Sequence, residues 1–363
     1  MLLAANDALT TAEVLTACTS TTLAKVLGDV EASASTAALR YVDPDEPGYQ
    51  RRRRGRGWTI VDANGHTVHD RRVLARIRKL AIPPAWTAVW ICRDPDGHIQ
   101  AIGRDARGRK QYRYHARWRT VRDAANYDRL RDFYRALPRL RAAVRQDLAC
   151  RCACKEKVTA AVVALIERGH LRVGSDEYTR ANGSYGATTL LRRHASIHGE
   201  TVRLGYRAKG GKHRAVRFRD RRLARVLGQL ARQRGARLFQ YRAGRSRRTI
   251  TSRDVNEYLH RHAGVRCSAK VFRTWAATIA AARALAAAEH ATSPTARKRT
   301  MLAAIRTVAE RLGNTPAVCR KSYVHPLLLA RFLAGELDRP LARLRRARTS
   351  AAIERSVVAM LAA

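Results

Sequence analysis

The feature that most limits how this chain can fold is a change in its hydrophobic period near residue 118. From Leu39 the stretch "LRYVDPDEPGYQRRRRGRGWTIVDANGHTV" carries short β-type runs broken by Pro47-Gly48 and by Asn64-Gly65, a hairpin signal. The stretch "WTAVWICRDPDGHIQAIGR" repeats the pattern, with a strand expected on either side of Asp94-Pro95-Asp96-Gly97. That aspartate pair reads as turn chemistry, because His98 stands at the third ligand position of a calcium loop and no glutamate follows at the required spacing.

Beyond residue 118 apolar residues recur at helical spacing, in "YDRLRDFYRALPRLRAAVRQDL", "EKVTAAVVALIERG" and "DVNEYLHRHAG". "VFRTWAATIAAARALAAA" predicts a helix of small residues suited to a crowded core, and "TARKRTMLAAIRTVAERLG" another that stops at Gly313. One β interlude, "TVRLGYRAKGGKHRAVRFRD", reads as two alternating strands around a two-residue turn at Gly210-Gly211, flanked by Lys209 and Lys212. The expectation is an α+β chain. A small β-rich N-terminal domain covers 36–118, a larger, mainly helical domain with an exposed basic hairpin covers 119–345, and a C-terminal helix or tail covers 346–363. Residues 1–35, rich in Ala and Thr, read as a marginal helix or loose extension.

Lysine and arginine number 72 against 29 aspartates and glutamates, and they are spread along the whole chain. A surplus of 43 positive charges on a chain that is 46% apolar points to a folded protein with a polyanionic partner. Duplex DNA is the economical candidate, since it carries a charge about every 1.7 Å of axis and releases counterions when bound. A membrane fits less well, because the basic residues are not gathered on one amphipathic helix. No run of roughly 18 apolar residues occurs, and Trp275 to Ala288 is interrupted by Arg283. The start, "MLLAANDALTTAEV", lacks the form of a signal peptide, so a cytoplasmic, nucleoid-associated protein is expected. Seven cysteines without framework spacing suit a reducing compartment. "CRCAC" has no second pair of ligands at metal-binding spacing and reads as small residues before a helix, so no metal site is expected.

Breaking a DNA strand without a cofactor needs a nucleophile, cations on the nonbridging phosphate oxygens and an acid for the departing 5'-oxygen. A tyrosine can be the nucleophile if its phenoxide is stabilised, since its free pKa is near 10. The planar fork of arginine holds two phosphate oxygens and keeps its charge. A lysine can be the acid where neighbouring cations lower its pKa. Taken singly, such residues are ordinary in a chain this basic; their order and context are not.

"HLRVGSDEY", "YRAKGGKHR", "SAKVFRTWAAT" and "GNTPAVCRKSYVHP" occur in that order and resemble the active-site blocks of the type IB DNA topoisomerases of bacteria and poxviruses. "GRDARGRKQYRYH" and "ANGSYGATTLLRRH" resemble further blocks of the bacterial branch, so the likeness runs from about residue 36 to about 340. The resemblance implies a clamp of two domains around duplex DNA, preferably supercoiled, acting as a monomer with no cofactor, nucleotide or metal. It implies that Tyr323 is the nucleophile and forms a 3'-phosphotyrosyl bond. Arg172 and Arg273 match the phosphate-clamping arginines, and Lys270 matches the supporting basic residue. Lys209 falls where the family has its general acid. Strand rotation and resealing would follow without ATP, because the bond energy is kept.

The sequence departs from the pattern in places. Poxvirus members carry a histidine nine residues before the nucleophile, where this chain has Asn314, whose amide N–H can still hydrogen-bond a phosphate oxygen. "AKGG" stands where glycine more often precedes the lysine, which leaves Lys212 as a rival acid and phosphate contact. Ser175 and Glu177 occupy positions near "RVG" where poxvirus enzymes have lysines, which puts a shared cleavage sequence in doubt. For DNA contact the expected residues are Arg109, Lys110, Gln111, Tyr112 and Tyr114, with Tyr178 in the second domain. Gln111 can read an adenine edge, and Tyr112 and Tyr114 share one strand face. Two alternatives stand beside this reading. A tyrosine recombinase-like strand transferase would carry a histidine where Lys270 stands, and a noncatalytic architectural DNA-binding protein would explain the charge but not Tyr323 in its setting.

Overall fold

The computed structural model describes residues 9–265 and 267–362. It is a mixed α and β protein, mostly helical with small sheets, in two compact units that divide after Asp128.

The first unit is built on an antiparallel sheet of β1 (Tyr49–Arg54), β2 (Gly57–Val61), β3 (Thr87–Ile91), β4 (Ile99–Arg104) and β5 (Lys110–Tyr114), in the order β2-β1-β3-β4-β5. The turn between β1 and β2 falls at Gly55-Arg56, with Gly55 at φ +56 and Arg54 paired with Gly57. Asn64-Gly65 also turns the chain back on itself, with Val61 and Thr67 bridged antiparallel. The Asp62 carboxylate accepts from the amides of Asn64 and His66, both at 2.9 Å, and so closes the loop just after β2. Asp94 makes the expected turn, accepting from the Asp96 amide at 2.8 Å. Helix Arg71–Lys79, capped by Asp70, lays Ile77 against Trp86, Val89, Ile91 and Ala101.

Of the marginal helix or loose extension expected here, residues 9–36 take the helical form, as three short helices rather than one. Three short helices, Thr11–Ala17, Ser20–Gly28 and Val30–Thr36, are capped in turn by Thr10, Thr19 and Asp29, and they bury Val14, Leu23, Val26 and Ala34. Alanine costs the least to place in a helix, and each cap satisfies amides that so short a helix would leave orphaned. Arg122 secures them, donating to the Val26 carbonyl at 2.7 Å. Because these helices count on residues beyond 118, the compact unit extends to Asp128, inside helix Ala116–Leu148.

The second unit surrounds helix Lys155–Gly169, in which every residue from Lys157 to Ile166 is buried. Beside it runs an antiparallel meander of β6 (Ala195–His198), β7 (Thr201–Arg207) and β8 (His213–Arg219). The β7–β8 connection is wider than the two-residue turn expected. Arg207 pairs with His213, the Ala208 amide donates to the Lys212 carbonyl at 2.8 Å, and Gly210 and Gly211 both take positive φ. Helices Ser252–Ala263, Lys270–Ala287 and Pro294–Leu312 follow, with the last ending at Gly313 in the left-handed region. The C-terminal residues are part of this core rather than a tail. Helix Ser350–Leu361 buries Val357, Met360 and Leu361, and its Glu354 receives both terminal nitrogens of Arg141, at 2.9 and 2.6 Å. Among the described residues no helix is long and apolar enough to cross a membrane, and no group of three or more His, Cys, Asp or Glu is placed to hold a metal ion.

Candidate active site and nucleic-acid interface

Arg172 is held by backbone geometry. Helix Lys155–Gly169 ends with His170 in the left-handed region, and the chain then runs into "LRVG". Gly174 sits at φ +88, and a Cβ there would stand 2.9 Å from the Cα of Gly186. That close approach lets Ala187 donate to the Arg172 carbonyl and Thr188 to the Val173 carbonyl, each at 2.8 Å. The two glycine-bearing segments are thereby locked together, and the Arg172 guanidinium reaches the side-chain oxygen of Asn314.

Arg273 and Lys270 share one face of helix Lys270–Ala287, three residues apart. Arg273 is only 2% exposed. It donates to the backbone carbonyls of His170 and, at 3.1 Å, Leu312, both at helix ends where carbonyls lack intrahelical partners. Burial, with Arg172 adding repulsion, brings its pKa down to about 10, so the guanidinium stays charged at neutral pH. Among the described residues its Nε has no hydrogen-bond partner.

Tyr323 follows helix Pro316–Ser322 and is 9% exposed. The Arg273 guanidinium carbon lies 5.1 Å from its ring centre and Lys270 Nζ 6.0 Å. Burial raises the phenol's pKa, but the positive charge of Arg273, and then those of Arg172 and Lys270, outweigh it and hold the pKa below the usual tyrosine value. The Thr278 hydroxyl sits at the backbone just after Tyr323, near the Tyr323 carbonyl at 3.4 Å and accepting from the His325 amide at 3.1 Å. Asn314 completes the group. Its oxygen is taken by Arg172, while its amide nitrogen meets no oxygen acceptor and has the weakly accepting thiol of Cys319 as a neighbour.

The structure thus brings Arg172, Arg273, Lys270, Asn314 and Tyr323 into one cluster. Lys209 is set apart in the β7–β8 loop, exposed, with its ammonium 5.8 Å from the ring centre of Tyr178. Lys212 is exposed in the same loop. Ser175 caps the short helix that carries Tyr178, accepting from the Tyr178 amide at 3.3 Å.

The expected DNA-contact residues of the first unit form a group of their own on β5. Tyr112 and Tyr114 stack at 5.7 Å, and Lys110 stands 5.6 Å from the Tyr112 ring. Arg109 pairs with Asp105 at 2.7 Å, and Gln111 donates to the same carboxylate at 3.0 Å. The Gln111 amide is therefore engaged within the protein and would have to exchange Asp105 for a base edge.

Three residues escaped the sequence reading. His170 gives its carbonyl to Arg273, and burial, with Arg311, Arg214 and Arg273 nearby, lowers its imidazole pKa to about 4. Arg214 donates to the Gly169 and Arg311 carbonyls at 3.1 and 3.2 Å. Thr278 is fully buried beneath Tyr323. Arg214 had a legible signal, since the alternation of β8 places it on the face of Val216 and Phe218. The other two had none.

Residues 115–333 match the family model described as the eukaryotic DNA topoisomerase I catalytic core, and residues 57–105 match that of the bacterial DNA topoisomerase IB N-terminal domain. The chain is 34% identical over 259 residues to the DNA topoisomerase 1B of Acanthamoeba polyphaga mimivirus, covering 69% of this chain and 77% of that protein. Among solved structures, the XerH site-specific recombinase in a post-cleavage complex with its palindromic difH substrate aligns at 16% identity and a TM-score of 0.32. That alignment covers 54% of this chain and 47% of the recombinase, too distant to carry an argument.

Proposed function

The chain belongs to the type IB DNA topoisomerases, isomerases that change DNA topology, and we propose that Tyr323 is the residue through which it cuts and reseals one strand. The phenolic oxygen attacks the scissile phosphorus while the bond from phosphorus to the 5'-oxygen breaks, leaving a 3'-phosphotyrosyl link and a free 5'-hydroxyl. Arg172 and Arg273 hold the nonbridging oxygens, Asn314 donates its amide, Lys270 adds charge, and Lys209 or Lys212 protonates the departing oxygen. Reversal reseals the strand after rotation, with no ATP needed because the phosphodiester energy stays in the tyrosyl ester.

The observation that carries this assignment is the cluster at Tyr323: a buried phenol under two arginines and a lysine, beside donors without acceptors at Arg273 Nε and Asn314 Nδ2. Buried cations and unpaired donors are costly unless an anion joins them, and a phosphate would supply that anion. Each unit carries residues expected to contact DNA, which supports a clamp closing on the duplex, and one active site per cut strand supports action as a monomer. Preference for supercoiled plasmid and association with the nucleoid belong to the same reading.

The test is plasmid relaxation with trapping of the covalent adduct, in EDTA and without nucleotide. Wild-type protein should relax the plasmid and Tyr323→Phe should not, while binding duplex DNA nearly as well. Covalent adduct in Tyr323→Phe would remove the assignment.

A further inference from the structure

The first unit contains a recess of about 420 Å³ whose lining includes none of the residues clustered at Tyr323. Aromatic rings line it in a continuous series. Tyr41 stacks on His98 at 4.8 Å and 13°, His98 meets Trp118 at 4.6 Å, and Trp118 lies nearly parallel to Tyr114 at 6.0 Å. Tyr114 then passes the series to Tyr112 on β5. The inner rings are covered, with Trp118 6% exposed, but the two ends are open, Tyr41 at 44% and Tyr112 at 39%. An open ring at 44% is an unsatisfied apolar face, and Val30 stands beside it on the same rim at 46%.

The polar groups around the recess divide into engaged and free. His98 Nδ1 accepts from the Val42 amide at 3.1 Å, and Arg122 is committed to the Val26 carbonyl and the Ser33 hydroxyl. Asp123, the carboxylate on the wall, has an interaction of its own. Arg119 has no ion pair or side-chain hydrogen bond among the described residues. The recess therefore offers flat π faces and one free guanidinium.

We propose that this recess binds one unpaired nucleotide, its base stacked on Tyr41 and its phosphate on Arg119. The proposal rests on DNA being the substrate. Every base has a π face that stacks on an aromatic ring, and an arginine beside such a ring takes the phosphate. Bases in an intact duplex are already stacked on both faces, so only a nucleotide freed at a gap, bulge or unpaired end can enter. The ring series joins the recess to β5, the strand expected to lie on DNA, so a duplex held there would place a nearby unpaired base within reach.

The test uses duplexes carrying 2-aminopurine either paired or in a single-nucleotide bulge, with the full chain added and fluorescence followed. Binding should quench the bulged base and leave the paired one little changed. Tyr41→Ala should weaken affinity for the bulged duplex about tenfold, the scale of one base–aromatic stack, while Tyr41→Phe retains it. Both should form the covalent adduct on plain duplex at the wild-type rate. Val30→Asp, which puts a negative charge on the rim without touching the ring series, should also weaken bulge binding. Equal quenching of paired and bulged probes, or undiminished bulge affinity in both Tyr41→Ala and Val30→Asp, would overturn the proposal. Failure of wild-type protein to bind plain duplex would instead strike the reading of DNA as substrate.

Discussion

Arg273 lies 5.1 Å over the ring of Tyr323 while its two terminal nitrogens are spent on the carbonyls of His170 and Leu312. The backbone thus fixes the charge that lowers the phenol's pKa. A lysine at this position has one compact ammonium and cannot keep both carbonyls and the ring contact. Arg273→Lys should therefore slow single-turnover adduct formation by about 10²–10³-fold, the cost of losing a preorganised donor. Its alkaline limb should also shift. The wild-type rate should rise with pH as phenoxide forms and level off below the ordinary tyrosine pKa, whereas the variant should level off at higher pH.

The two lysines of the β7–β8 loop are separated by substrate chemistry. If Lys209 protonates the leaving 5'-oxygen, Lys209→Ala should slow cleavage about 10²-fold or more, and Lys212→Ala much less. Replacing that oxygen with sulfur removes the need for a proton, so Lys209→Ala should recover most of its rate, while Arg172→Ala and Arg273→Ala should not. Rescue of Lys212→Ala alone would transfer the role to Lys212. Because Lys209 rests over Tyr178 in the free protein, Tyr178→Ala should alter cleavage only through Lys209 and should be rescued by the same sulfur substrate.

Asn314 offers one oxygen to Arg172 and one unpaired amide. Asn314→Asp keeps the acceptor and replaces the donor with a negative charge, so the fold should persist while adduct formation falls about 10²-fold or more. Asn314→His restores a donor and should retain substantial activity. Matching thermal melts with divergent cleavage rates would separate this role from a packing role.

Thr278 braces the chain immediately after Tyr323, at the Tyr323 carbonyl and the His325 amide. Thr278→Val preserves shape but leaves the His325 amide without its acceptor, so kcat for relaxation should fall while KM for plasmid hardly moves. Thr278→Ser should restore most of the rate. A rise in KM with unchanged kcat would show that Thr278 serves DNA binding.

His170 has a folded-state pKa of about 4 against an unfolded value near 6.5, chiefly because it is buried. The unfolded chain therefore takes up a proton between those values that the folded chain refuses, and stability should fall as pH drops from about 6.5 to about 4. His170→Asn, whose side chain tolerates the left-handed backbone there, should flatten that part of the curve in denaturant titrations. Cleavage should show no histidine limb above pH 6.

The sequence by itself determined most of the elements and singled out the residues proposed to react. Strand alternation and turn residues marked the β-rich part, helical periodicity with Gly313 as its stop marked the rest, and "FRTW" and "CRKSY" lay in motifs whose residue types are tied to phosphate chemistry. Both are local, since period and motif span a few residues. Tertiary structure decided what depends on contacts between distant segments. The first helices count as part of a core because Arg122 and its neighbours, about ninety positions away, cover them. The Asn64-Gly65 turn came with a carboxylate lock from Asp62, and Gln111 was claimed by Asp105. Above all, Arg273 acts on Tyr323 from where it does because helix ends at His170 and Leu312, each far from it in sequence, present it with carbonyls that no local pattern announces.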